Sequence, residues 1–425
     1  MKGVFFPMTA RFRDQSSTRS TIVDLSAAIA GVAALIALAA PVFSERWMLD
    51  FRFFWTAGRV WLDGGLLYGP AYMETGAENF RLFEYPFYYP PTIAPLLAPF
   101  SALEPAVAAR VFLACNTMLY AGGLFVVAHS LTRELERARQ GKPSVGEFKR
   151  LSGLCAPAVA LGFTVFFHPA LASAIYGQPA LALGGLCALF AAALAHHKFA
   201  LAGVLLGILL VKPQFSIPIL LYCLITPEFR RAGIVAIAIA GLLTIAGIAG
   251  PSPADAVLGF IKNMSSYSGE KWNDSALSAG GGFILQVVNL KVSVLTSLLG
   301  GGLAAFLVAR RAKPTKFRTL NAVGIIVTAA IIASPNHSYD YVWLIVTIPA
   351  FALGRTNALL LAGGILLAGQ AAPLAFAIYP SSADAAQSVI AATHTLALLM
   401  ILIGQITFDP LTGIRDRLHP VKVRR

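Results

Sequence analysis

The sequence predicts an all-α polytopic membrane protein, a bundle of about 12 transmembrane helices whose extracytoplasmic loops carry short interfacial helices. Of the 425 residues, 57% are hydrophobic and only 12% are charged. Soluble domains carry roughly 25% charged residues, so a water-soluble fold is excluded. The hydrophobic residues also form runs of roughly 13 to 27 along the whole chain, and about 20 apolar residues suffice to cross a hydrocarbon core.

The apolar runs define the predicted spans, of which the first is an uncleaved anchor. Its apolar stretch exceeds the roughly 7 to 15 residues of a signal peptide. The spans lie near 22–42, 104–130, 151–167, 180–195, 199–211, 214–226, 232–250, 283–309, 319–333, 341–354, 357–378 and 386–407. The two runs beside Lys212 are too short to cross comfortably, which predicts half-helices or a tilted pair.

The distribution of basic residues predicts the orientation. With a cytoplasmic N-terminus, 24 of the 33 Lys and Arg residues lie in cytoplasmic segments and 7 in extracytoplasmic ones, with Arg110 and Lys291 inside spans. This satisfies the positive-inside rule, and it explains the net charge of +13 better than nucleic acid binding does. Both termini are therefore predicted to be cytoplasmic. The chain reads as one membrane domain, 1–425, with large extracytoplasmic loops at 44–103 and 251–282.

Several classes of site are disfavoured by the sequence. The four cysteines, Cys115, Cys155, Cys187 and Cys223, all lie in apolar runs without CxxC spacing, which predicts neither a disulfide framework nor a metal cluster. No serine nucleophile motif and no HExxH spacing occurs, so hydrolase and metalloprotease functions are rejected. The sequence predicts no cofactor and no metal ligand.

Polar residues that are costly near a membrane gather at the predicted extracytoplasmic ends of the spans. They are Asp50, Arg52, Tyr89, His168, Gln178, Lys212, Asn336, His337 and Asp340. Their convergence on one face indicates that the chemistry of this protein is extracytoplasmic. Tyrosine and glutamine can hydrogen-bond sugar hydroxyls and histidine can pair with phosphate, although a structural loop is the commoner explanation for His168 and Gln178.

Two of these residues admit alternative interpretations. Asp50 begins an amphipathic stretch and could be a general base whose partial desolvation raises its basicity, or a helix N-cap. Lys212 breaks an apolar run and could face an anionic partner in a polar cavity, or extend to the headgroups at the end of its span. The sequence leaves both alternatives open.

Several separated motifs together resemble glycosyltransferase family 87, the polyprenol-phosphate-sugar-dependent, mannosyltransferase-like membrane proteins of the GT-C fold class. The motifs are Asp50-Phe51-Arg52-Phe53-Phe54-Trp55 with Gly64 to Tyr68, Tyr89-Pro90-Pro91 with Ala98-Pro99, Tyr176-Gly177-Gln178, Ala202-Gly203 through Lys212-Pro213-Gln214, and Ser334-Pro335 with Tyr339-Asp340-Tyr341. Their order and spacing across most of the chain carry the resemblance.

The resemblance implies a GT-C-like bundle and an inverting transfer of a sugar, with mannose as the expected one, to an acceptor hydroxyl. Asp50 would be the catalytic base, and Lys212 and the turn at His337 would face the donor phosphate. The residues expected to bind donor or substrate are Arg52, Tyr89, His168, Gln178, Lys212, Gln214, Asn336, His337 and Asp340. The turn after Pro335 departs from the Trp and paired-His pattern of the family and reads Asn336-His337-Ser338-Tyr339-Asp340 instead.

The implied partners are a polyprenyl-phosphate-linked sugar donor, a glycolipid or glycan acceptor and membrane lipids, with no nucleic acid. The implied location is the bacterial inner membrane, with the active site on its extracytoplasmic side. Two alternatives from other classes stay open, namely a sugar or lipid transporter or flippase, and a noncatalytic envelope-assembly scaffold. Transporters often contain inverted repeats with polar residues near the midplane, whereas no clear internal repeat is found here.

Overall fold

The structure, a computed structural model, describes residues 48–80, 83, 85–139, 167–250, 252–267, 294–310, 316–334, 337–352, 355–378 and 383–406. These ranges are predominantly helical and contain no strand. The predicted all-α fold class is confirmed. The predicted spans at 22–42 and, except for Phe167, 151–167 lie outside the described residues.

Three short helices and a 3-10 turn form a layer at one end of the molecule. They are α1 (Leu49–Leu62), α2 (Pro70–Asn79), the 3-10 turn Pro91–Ile93 and α3 (Ala94–Ser101). The apolar face of α1 is buried against protein, since Phe51 and Phe54 are at most 1% exposed. The Ser101 hydroxyl fixes α3 on α1 by donating to the Trp55 carbonyl over 2.8 Å. This layer is the predicted first large loop.

The remaining described helices form the bundle. They are α4 (Pro105–Arg139), α5 (His168–Tyr176), α6 (Ala180–Ala195), α7 (Phe199–Leu209), α8 (Pro213–Ile225), the 3-10 turn Pro227–Phe229, α9 (Arg230–Ile248), α10 (Pro253–Tyr267), α11 (Val294–Ala309), α12 (Lys316–Ile332), a long 3-10 helix (Ser338–Ala352), α13 (Arg355–Ile378) and α14 (Ala383–Ile406). Within the described ranges, segments of sufficient length and apolarity to cross a membrane are Pro105–Ser130, Pro227–Ile248 and Val389–Ile406. The helices α4, α6, α7, α8, α9, α12, α13 and α14 correspond to predicted spans, whereas α5 and α10 fall in segments predicted as extracytoplasmic loops.

Helices α4 and α6 approach each other at two glycines. A Cβ atom on Gly185 would lie 2.1 Å from the Leu119 carbonyl oxygen, and one on Gly123 would lie 2.6 Å from the Gly185 oxygen. Small residues at such contacts allow membrane helices to pack closely. The two helices run in the same direction, because Asn116 of α4 accepts a hydrogen bond from Ala182 N at the start of α6 and Gly123, later in α4, meets Gly185, later in α6.

The Gly185→Ala variant is expected to be destabilised by about 1–3 kcal/mol, because the added methyl must push two backbones apart. Thermal unfolding of the purified protein in detergent measures this effect. Gly122→Ala, one position from Gly123 on α4, is the matched control, since a Cβ atom there has no neighbour within 4 Å. Equal melting temperatures for the two variants would contradict the assigned contact.

Helices α7 and α8 form a hairpin that is shorter than its neighbour α9. Gly203 of α7 packs on Val235 and Gly207 packs on Ile239, so α7 runs parallel to α9. Because Gly207 is level with Ile239, the end of α7 at Leu209 is level with a point about seven residues before α9 ends at Ile248. At a rise of 1.5 Å per residue, α7 therefore ends about 10 Å short of the end of α9. The turn that carries Lys212 is thus set back from the end of α9, and the two short apolar runs beside it correspond to the short helices α7 and α8.

The segment predicted as a span at 341–354 is a 3-10 helix rather than an α-helix. It covers 15 residues, Ser338–Ala352, with Pro349 inside it. At about 2.0 Å per residue it extends roughly 30 Å, enough to match the hydrocarbon core with fewer residues than an α-helix needs. Tyr341 and Trp343 near its start are 0% exposed. Helices α6 and α12 both pack against this 3-10 helix.

Candidate active site

The start of α1 is fixed to the turn that follows α5. Met48 N donates to the Ile175 carbonyl over 2.6 Å. Gly177 ends α5 with φ +71°, and a Cβ atom there would lie 2.7 Å from Phe51 Cβ. A residue with a side chain would be strained and would clash, so glycine allows the Tyr176-Gly177-Gln178 turn to lie directly on α1.

This contact brings Asp50 and Gln178 together. Gln178 Nε2 donates to Asp50 Oδ2 over 2.5 Å, and the Tyr89 hydroxyl donates to Gln178 Oε1 over 3.0 Å. The N-cap of α1 is Met48, and Asp50 lies within the first turn. The alternative in which Asp50 is the helix N-cap is therefore wrong. Its carboxylate is instead the end of a hydrogen-bonded chain from three separate segments.

Burial raises the pKa of Asp50 from 3.8 to about 6, while the hydrogen bond from Gln178 and the positive charge of Lys212 act in the opposite direction. A carboxylate with such a pKa is ionised at neutral pH and is also a stronger base than an exposed aspartate. The bond from Gln178 occupies one lone pair of the carboxylate, and a carboxylate has further lone pairs that can accept a proton from a substrate.

Replacement of Tyr89 by phenylalanine is expected to slow the reaction proposed below several-fold. The lost hydrogen bond is worth about 0.5–1.5 kcal/mol, and Gln178 would then be held less firmly on Asp50. Initial rates at saturating donor measure the effect, with Tyr85→Phe as the matched control because Tyr85 is 38% exposed and packs on Phe53. A rate for Tyr89→Phe equal to that of the control would contradict the positioning role.

Lys212 and Asp340 form a buried ion pair beside this chain. Lys212 is the N-cap residue of α8, and its Nζ contacts Asp340 Oδ1. The two residues are 5% and 2% exposed. The alternative in which Lys212 extends to the headgroups is therefore wrong, and its anionic partner in the structure is Asp340. Because Lys212 lowers the pKa of Asp50, the pair and Asp50 belong to one electrostatic cluster.

The turn before the long 3-10 helix holds the pair in place. His337 N donates to Asp340 Oδ2 over 3.2 Å, so both carboxylate oxygens of Asp340 are engaged. The His337 ring stacks on Tyr339 with centroids 5.1 Å apart, and Lys212 Nζ lies 5.5 Å from the Tyr339 ring centroid. Burial lowers the pKa of His337, which favours a neutral imidazole at pH 7.

Other predicted site residues lie elsewhere. The Arg52 guanidinium lies 6.0 Å from the Phe80 ring centroid, two positions beyond Asp50 and thus on another side of α1. His168 lies within electrostatic range of His394 on α14. Gln214 is partly buried, and its backbone carbonyl accepts a bond from Ser297. Asn336 lies outside the described residues.

Sequence reasoning missed two tyrosines of the cluster. The sequence marks Tyr339 only as part of a motif, yet its hydroxyl lies within electrostatic range of Tyr89, Asp340 and Asp50. Tyr267 at the end of α10 interacts with the same Tyr89 and Tyr339 hydroxyls. The adjacency of Tyr339 to Asp340 was a usable signal for the first. No local pattern marks Tyr267, because it reaches the cluster from another loop.

Within the part of the chain that the structure describes, no group of three or more His, Cys, Asp or Glu side chains could hold a metal ion. We therefore assign no metal ligands. The described cluster consists of two carboxylates, one ammonium group, one amide, one imidazole and several phenols.

Comparison with known proteins adds one match. The family model of glycosyltransferase family 87 matches residues 87–335, which is more than half of the 425 residues. The matched range includes Tyr89, Gln178 and Lys212, whereas Asp50 and Asp340 lie outside it. No curated protein matches the chain.

Proposed function

Because this chain belongs to glycosyltransferase family 87, and is therefore a membrane glycosyltransferase, we propose that it transfers a sugar from a polyprenyl-phosphate donor to an acceptor hydroxyl. The observation that carries the proposal is the cluster in which Asp50, held by Gln178, lies within the field of the buried Lys212 ammonium group. The cluster supplies a base and, within electrostatic range of it, a cation. These are the two groups that such a transfer needs.

In the proposed reaction Asp50 removes the proton of the acceptor hydroxyl while that oxygen attacks the anomeric carbon. The bond between this carbon and the donor phosphate oxygen breaks, and the bonding electrons leave with the phosphate. The products are the glycoside with inverted configuration and polyprenyl phosphate, and Asp50 later releases the proton to water. A positioned base of this kind contributes about 10²–10⁴-fold to a rate.

Lys212 would stabilise the leaving phosphate. An ammonium group has three donors, and Asp340 takes one of them, which leaves two for phosphate oxygens. Lys212 is also the N-cap of α8, and the N-terminus of this helix adds a partial positive charge. Asp340, being an anion, would repel phosphate, so we assign it the role of positioning Lys212. A bound phosphodiester would also add negative charge near Asp50 and strengthen it as a base.

We propose that the reaction occurs on the extracytoplasmic side. Helix α9 supports this orientation, because it begins with Arg230 and Arg231 at the end opposite to the layer, and near its other end Ala246 accepts a bond from Trp61 of the layer. Basic residues favour the cytoplasmic ends of spans. We also propose mannose as the sugar, which rests on the family resemblance.

A donor panel tests this function. The full chain is reconstituted in liposomes with polyprenyl-phosphate-linked hexoses and a panel of glycolipid acceptors, and the release of polyprenyl phosphate is measured together with the product. We expect release that depends on acceptor, greatest for the mannosyl donor, with inverted configuration in the product. Flip of the donor across the bilayer without bond cleavage would support a transporter instead, and release with retained configuration would contradict the role of Asp50.

A further inference from the structure

Helix α10 has three distinct faces. Its protein-facing side consists of Ala256, Gly259, Phe260, Asn263 and Tyr267, which recur at the three- and four-residue spacing of one helix face. Asn263 Nδ2 donates to the Phe87 carbonyl over 3.1 Å, and the Tyr267 ring lies 4.7 Å from that of Tyr88. This face packs directly on the segment that carries Tyr89.

The second face is apolar and exposed. Val257, Leu258 and Ile261 are 41%, 63% and 57% exposed, respectively. The third face is polar and exposed, and it carries Asp255 and Lys262. A helix in water would not present three large aliphatic side chains on one side, whereas a helix at a membrane surface needs this division into apolar and polar sides.

Helix α9, which precedes α10 in the chain, also exposes large apolar side chains. Leu242 and Ile245, in the last two turns of α9, are 63% and 66% exposed, and α9 is apolar and long enough to span the membrane. Only Ala249 to Ser252 separate the two helices. Helix α10 itself is about 22 Å long, which is too short to cross a core of about 30 Å, and it contains both Asp255 and Lys262.

We propose that α10 lies in the membrane interface, with Val257, Leu258 and Ile261 inserted among the lipids and Asp255 and Lys262 directed to water. The partner of this surface is the bilayer. The opposite face of α10 contacts Phe87 and Tyr88, which directly precede Tyr89 in the chain. The position of α10 at the lipid surface would therefore help to fix the position of Tyr89. The inference does not depend on the proposed transferase reaction.

Single cysteines placed on the two exposed faces test this inference. The variants Val257→Cys and Ile261→Cys are compared with Asp255→Cys and Lys262→Cys in the full chain, reconstituted in liposomes of defined composition. Each is labelled with bimane, and quenching by nitroxide-labelled lipids is measured alongside the rate of reaction with a membrane-impermeant maleimide. The unsubstituted protein gives the background labelling, to which the partly exposed Cys115 can contribute, whereas Cys187 and Cys223 are buried.

We expect Val257→Cys and Ile261→Cys to react roughly tenfold more slowly than the two controls and to be quenched by the lipids. Equal reaction rates at all four positions would place the apolar face in water and overturn the inference. Slow reaction without lipid quenching would mean that protein covers this face, either a second copy or another part of the chain, and would also overturn it. Each outcome is independent of whether sugar transfer is observed.

Discussion

The Asp50→Asn variant is expected to lose about 10²–10⁴-fold in kcat, which is the contribution of a positioned general base. Asparagine retains an oxygen that can accept the bond from Gln178 Nε2, so the fold and the position of the side chain should be preserved. What is lost is the ability to take a proton. The measurement is the initial rate of sugar transfer in liposomes at saturating donor and acceptor.

Asp63→Asn is the matched control for this variant, because Asp63 directly follows α1 and its exposed carboxylate pairs with Arg59 over 2.8 Å. It should transfer sugar at close to the native rate. A loss in Asp50→Asn no larger than that of the control would show that Asp50 is not the base.

The Lys212→Met variant is expected to be destabilised by about 3–5 kcal/mol, because it leaves the Asp340 carboxylate buried without its cation. The side chains of the pair are only 7% and 3% exposed, so water would hydrate a lone Asp340 carboxylate poorly. Thermal unfolding in detergent measures the loss. Lys198→Met, at an exposed turn between α6 and α7, is the matched control and should unfold like the native protein.

The double variant Lys212→Met/Asp340→Asn distinguishes the stability lost by leaving an unpaired charge from the stability lost by changing the packing of the side chains. Removal of both charges should recover most of the stability lost in the single variant, since no unpaired charge stays buried. The recovered protein should nevertheless transfer sugar poorly, because the leaving phosphate has lost its cation. A double variant as unstable as the single one would show that the pair does not act through its charges.

Most of the spans could be predicted from the sequence because their causes are local, whereas α10 lies in a segment predicted only as a loop. Apolar runs, the prolines at Pro213 and Pro253 and the glycine at Gly177 mark where helices begin or end. The short hairpin around Lys212 was visible as two runs too short to cross. The 3-10 form of Ser338–Ala352 was not, because its residues are compatible with an α-helix and the surrounding bundle determines their conformation.

The pairing within the cluster could not be predicted from the sequence. Asp50 and Gln178 are 128 positions apart, as are Lys212 and Asp340. A pattern can show that such residues fall at the same end of the bundle, but not which of them touch. The sequence also did not show which neighbours each side chain of α1 meets. Arg52 is close to Asp50 in the chain, yet its guanidinium lies over the Phe80 ring.

The dependence of kcat/KM on pH tests the central claim most directly. Since Asp50 must be ionised to accept a proton and burial raises its pKa to about 6, the native protein should lose activity as the pH falls through about 6, tenfold for each further pH unit. The residual activity of Asp50→Asn should show no such acid limb. An acid limb of the same midpoint in Asp50→Asn would contradict the account, because it would assign the titrating base to another group.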